Sequence, residues 1–88
     1  MSEYNQGYEI IAAEAYGTTE KGRECRIVLG RMETKYGVKF VTWESVIGVV
    51  AGDGYADYFW GHYFCEAPDA ERRARADFHR RLLDHYLE

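Results

Sequence analysis

Positive charge, cysteine and long apolar runs are all scarce in this chain, and each shortage closes off a class of protein. The formal charge is −4, from 15 acidic and 11 basic side chains, so the molecule as a whole offers no electrostatic reason to bind nucleic acid. Two cysteines, Cys25 and Cys65, allow one disulfide but not a disulfide framework. No stretch approaches the length of a transmembrane helix. The opening residues, Met-Ser-Glu-Tyr-Asn-Gln, lack the apolar run of a signal peptide. The expectation is a cytoplasmic protein, without membrane contact and with both thiols reduced.

Catalytic signatures are missing as well. There is no Gly-x-x-x-x-Gly-Lys-Ser loop, no Gly-x-Ser-x-Gly elbow and no His-Glu-x-x-His. His62-x-x-Cys65 has ligand-like residue types, but a tetrahedral site needs four donors, or three and a water. Cys25, His79 and His85 stand at no recognisable spacing from it. Repeats, low-complexity tracts and linkers are absent too. The 88 residues read as one domain, 1–88, with a small core and little room for a preorganised cleft. The expectation is a protein that is not an enzyme and uses no metal or cofactor.

Aromatic side chains are what the chain has in excess. They make up 16% of it and include eight tyrosines. From Tyr55 to Cys65, six of eleven residues are aromatic. Tyrosine and tryptophan favour places where one end of the ring is packed and the other is wet.

Taken in order, residues 1–7 are polar and read as a frayed end. Residues 8–16 read as a first strand, with 17–23 as its loop. Glu24 to Met32 is a second strand, with Cys25, Ile27 and Leu29 on one face and Arg26, Val28, Gly30 and Met32 on the other. A turn at 33–37 leads to a third strand, Val38 to Glu44, on which Val38, Phe40 and Thr42 oppose Lys39, Val41 and Trp43. Residues 45–54 are apolar but broken by glycine, and read either as a continuation of that strand or as a loop. Tyr55 to Cys65 is the fourth strand. Pro68 marks a helix start, and Ala70, Ala74, Phe78, Leu82 and Tyr86 form its buried stripe, widened by Leu83 and Leu87. Asp77 is placed to pair with Arg73 and Arg81. The fold class is therefore α+β: an antiparallel sheet of about four strands in a meander, with one C-terminal helix packed on one face.

One helix covers one face of such a sheet. Strict alternation places Phe59, Gly61 and Tyr63 under the helix and Tyr58, Trp60 and His62 on the outer face. That outer face then needs the long loop, a second subunit or a ligand to cover it, or it stays exposed as an interaction patch. The helix adds a local basic patch, five arginines in residues 72–81 against one acid. Glu9 and Glu14 fall on opposite faces of the first strand, so no ordered acidic stripe is expected.

Three segments carry a resemblance: Phe40-Val41-Thr42-Trp43, then Tyr58-Phe59-Trp60-Gly61-His62-Tyr63-Phe64, then Ala76-Asp77-Phe78 followed by Arg80-Arg81. Together they resemble a group of short uncharacterised proteins carried on bacterial phages and mobile elements, across roughly the C-terminal half of the chain. The resemblance implies no activity and no site residues. It implies a setting of small accessory proteins that bind a host or phage protein, among them inhibitors of host defence such as anti-CRISPR proteins. The expected function is a non-enzymatic protein-interaction module. Its partner-binding residues are Tyr58, Trp60 and His62, with Arg72 and Arg75 as polar rim, and the partner is another protein or a second copy in a homodimer. The alternative is a nucleic-acid-binding domain that stacks bases on the sheet aromatics and grips phosphate with the arginine helix.

Overall fold

β-branched and aromatic residues at alternate positions build the centre of the sheet. β3, Glu24–Thr34, and β4, Gly37–Ile47, pair antiparallel from Glu24↔Ile47 to Thr34↔Gly37 without a register shift. Their two-residue connection is closed by the Thr34 hydroxyl, which donates to the Gly37 carbonyl at 2.9 Å. Both strands outrun the lengths expected for them. Ser45 to Ile47 continue β4, while residues 49–55, with the rest of the glycine-broken stretch and the start of the aromatic run, lie outside the residues described. The computed structural model describes residues 3–48, 56–65 and 67–87.

β2, Tyr8–Thr18, flanks β3, and β5, Ala56–Phe64, flanks β4. The end expected to fray supplies one more strand, β1, Tyr4–Asn5, paired with β2 through Tyr4↔Glu9 and Asn5↔Tyr8. The intervening Gln6 and Gly7 have φ of 51° and 85°, the mirror-image turn that matches strand twist. Gln6 adopts this region at a cost of about 1 kcal/mol. Among the described residues the sheet thus has five strands in meander order, not about four, and curls into a half-barrel.

Helix α1, Ala70–Tyr86, packs on one face. It begins two residues after Pro68, with Asp69 as its N-cap residue and Glu71 in its first turn. Its buried residues are Ala70, Ala74, Phe78 and Leu82, which join Ile27, Leu29 and Phe40 in one core. Leu83, Tyr86 and Leu87 do not extend the stripe; all three are exposed. Leu83 and Leu87 fall on the far side of the helical turn from the buried row.

The far face is filled by its own side chains. Trp43 is 2% exposed and sits among Tyr8, Val28 and Val41, with Ile10, Met32 and Tyr58 at the margin. Tyr8 reaches from β2 across β3 to meet the Trp43 ring edge-on, centroids 5.6 Å apart, and comes within 6.3 Å of Tyr63 on β5. Two glycines make the seat. A Cβ on Gly30 would stand 3.3 Å from Trp43 Cζ3 and 3.0 Å from the Tyr8 Cβ, and one on Gly61 would stand 2.7 Å from Trp43 Nε1. Gly61 therefore makes room for an indole, where it was expected to admit the helix.

Both strands that flank the central pair are bulged. β2 slips between Ile10 and Ala12 and again between Ala15 and Gly17; β5 slips opposite Trp43, so that Thr42 faces His62 and Glu44 faces Phe59. Each extra residue inverts the alternation beyond it. Two expectations built on strict alternation are overturned in this way. Glu9 and Glu14 pair with Arg31 and Ile27 of the helix-facing row of β3, so they share a face. Tyr63, opposite Val41, belongs to the far face, and His62, opposite Thr42, belongs to the helix face.

Candidate functional site

The β5 bulge sets the geometry of the most distinctive surface. Trp60 occupies it with φ of 56°, a conformation rare for a large side chain, and is 69% exposed. Phe59 supports its ring edge-on, centroids 4.9 Å apart. Arg81 of the helix, whose side chain is only 11% exposed, donates from Nη2 to the Trp60 carbonyl. The helix thereby holds the strained peptide in place.

The same arginine selects the tautomer of His62. Its Nη2 lies 3.1 Å from His62 Nε2. A guanidinium only donates, so Nε2 accepts and the ring proton sits on Nδ1. Nδ1 donates to Asp77 Oδ2 at 2.8 Å, which also accepts from the buried Thr42 hydroxyl at 2.6 Å. Arg81 Nε stands 3.9 Å from the same carboxylate. Asp77 was expected to pair with Arg73 and Arg81. It keeps Arg81, while Arg73 lies over the Phe64 ring, 5.8 Å from its centroid.

One turn further along the helix a second histidine makes a parallel arrangement. His85 Nε2 and Glu44 Oε1 are 3.0 Å apart, and the Tyr16 hydroxyl donates to the same oxygen at 3.0 Å. The Tyr16 and His85 rings stack at 3.7 Å, 11° from parallel. Tyr16 is the extra residue of the second β2 bulge, so both bulged strands deliver a polar group to this seam. Between the two clusters lies a cleft of about 440 Å³, rimmed by Arg80 and Asp84. Chemically it is a hydrogen-bonding surface. Both nitrogens of His62 are engaged, by Asp77 and by Arg81, and Thr42 is fully buried beneath them.

The five residues singled out from the sequence do not form one patch. Trp60 and His62 are neighbours at the helix–strand seam. Tyr58 lies on the far face against Trp43, centroids 5.7 Å apart. Arg72 and Arg75 lie along the first half of the helix, each beside an acid: Arg72 3.7 Å from Asp69 and Arg75 3.0 Å from Glu71. Among the described residues no group of three or more histidine, cysteine or acidic side chains is placed to hold a metal ion, and no helix is long and apolar enough to cross a membrane. Cys25 and Cys65 are free thiols.

Sequence reasoning paired Arg81 with Asp77 but placed none of Glu44, Arg81 and His85 in the partner-binding set, and it gave no role to Arg26 on the far face. Arg26 is 7% exposed and forks onto Glu3, Nη1 to Oε1 at 3.0 Å and Nη2 to Oε2. Its signal was in the alternation, which put Arg26 in a row with Val28, Gly30 and Met32, an inward row. Comparison of the chain with protein-family profiles, with characterised proteins and with solved structures returns no match.

Proposed function

We propose that this chain is a non-enzymatic protein-binding module that works through the seam where β5 meets the helix, with Trp60 as the inserted anchor. The observation that carries the reading is Trp60 itself: a large aromatic, 69% exposed, on a backbone that Arg81 pins. A side chain whose backbone is already fixed loses less freedom on binding, and tryptophan is among the residues most enriched at interface hot spots. His62, Arg80 and Asp84 supply the polar rim. The bulge makes β5 a poor template for strand addition, so recognition runs through side chains. The setting implied by the resemblance, a phage or mobile element acting on a host protein or defence system, supplies the class of partner. A second copy of the chain is the alternative partner.

The nucleic-acid reading has less behind it. Arg72, Arg75 and Arg81 each have a carboxylate within reach along the helix, which offsets the local positive charge. Capture of partners on the immobilised chain from cells that host it, with Trp60→Ala and the Arg72→Ala/Arg75→Ala double variant alongside, separates the readings. Loss with Trp60→Ala alone, at unchanged fold and with little salt dependence, supports the protein module. Loss with the arginine variant and a steep fall as salt rises supports nucleic acid and sinks the proposal. Sedimentation of the free chain shows whether the partner is a second copy.

A further inference from the structure

Arg26 lies deep in the face opposite the helix, and a buried guanidinium demands acceptors around it. Part of that demand is met by the sheet. Nε donates to Ser45 Oγ at 3.2 Å, Nη2 lies 3.3 Å from the Tyr58 hydroxyl, and the guanidinium carbon stands 5.9 Å from the Tyr58 ring centroid. The counter-charge comes from elsewhere. Glu3, just ahead of β1, receives both terminal nitrogens in fork-to-fork geometry, and its own side chain remains 38% exposed.

The two halves of this ion pair are held very unequally. Arg26 sits on the unbroken central pair, beside Ser45 on β4 and Tyr58 on β5, in a pocket whose walls do not depend on Glu3. Glu3 is held by a two-residue strand, by its own carbonyl accepting from Ile10 N at 2.8 Å, and by a turn in which Gln6 takes a positive φ. Tyr4 is exposed, so the segment buries little apolar surface. The Asn5 side-chain nitrogen is buried without a hydrogen-bond partner among the described residues, which weakens its seat further.

We propose that Arg26 is a carboxylate-binding site of the folded sheet, occupied in this structure by Glu3 as an exchangeable internal ligand. When the segment Glu3–Asn5 lifts, a carboxylate from another molecule takes the same fork. The ligand class follows from the geometry: two oxygens in one plane matching two guanidinium nitrogens, as an acidic side chain, a chain terminus or a small organic acid presents.

The test is Glu3→Ala, melted in sodium acetate and in sodium chloride at equal ionic strength, with the unaltered chain as control. The variant melts lower than the unaltered chain in chloride. In acetate at tenfold its dissociation constant it regains about 8 °C, while the unaltered chain, its site already filled, does not shift. Titration of the variant with acetate moves the Arg26 Nε–H resonance. A blocked peptide with one internal glutamate, run in parallel, tells the sources apart: a larger effect than acetate identifies an acidic peptide, a smaller one a small organic acid. Should Glu3→Ala be unfolded in chloride, folding on addition of acetate supports the site, and failure to fold overturns it. Equal melting of the variant in the two salts, or equal acetate shifts in variant and control, likewise overturns it.

Discussion

The central pair of strands and the two strands that flank it are built from similar residues and behave differently. β3 and β4 match residue for residue from one end to the other. β2 is interrupted twice and β5 once. Regular pairing in the middle gives two continuous inward rows, Ile27 and Leu29 towards the helix, Val28 and Val41 away from it, all fully buried. The irregular flanks do other work. Their bulges bend the sheet, leave β5 a poor template for a further strand, and turn Tyr16 and His62 towards the helix. The middle of this sheet carries the core, and the interruptions outside it carry the polar seam.

The comparison breaks first at Trp43. Trp43→Ala, in the regular pair, is expected to cost about 3–5 kcal/mol, read as a large drop in the urea midpoint at unchanged slope. A loss under about 1 kcal/mol would show that the far face is not a second core. Asp77→Ala removes the acceptor shared by Thr42 and His62 and the carboxylate nearest Arg81; about 2 kcal/mol is expected. Combining it with His62→Ala should give far less than the sum of the two, because the residues act through one network. Gly61→Ala pushes a methyl against the Trp43 indole at the bulge, where about 1–2 kcal/mol is expected, together with a shift in Trp43 fluorescence. Smallest of all, Trp60→Ala should change stability by no more than about 0.5 kcal/mol while removing partner capture. A large stability loss there would make Trp60 a structural residue and leave the proposed anchor without support.

Period-two patterning made β3, β4, their hairpin and both of their faces legible from the residues alone, and spacing-four apolar residues did the same for the helix stripe from Ala70 to Leu82, though not for Tyr86 at its end. Legibility ended at each bulge. A single inserted residue leaves no mark in composition, yet it moves every later side chain of that strand to the other face. His62 and Tyr63 were misplaced for that reason alone; Tyr58, ahead of the bulge, was placed correctly. Trp60 is a separate case, because its positive φ takes it out of the alternation altogether. Leu83 and Leu87 were read as core because they are apolar, although their helical angle points them away from the stripe. The two-residue strand at Tyr4–Asn5 was missed because Gln-Gly is a weak form of the Asn-Gly turn signal.

Meander order has a consequence for synthesis. Each strand of this sheet pairs with the one made just before it, so the sheet can assemble as the chain leaves the ribosome, with only short loops to close. The helix is made after the sheet, and Ile27, Leu29 and Phe40 wait for Phe78 and Leu82. Until then the nascent sheet shows a bare apolar face, which is the kind of surface that aggregates.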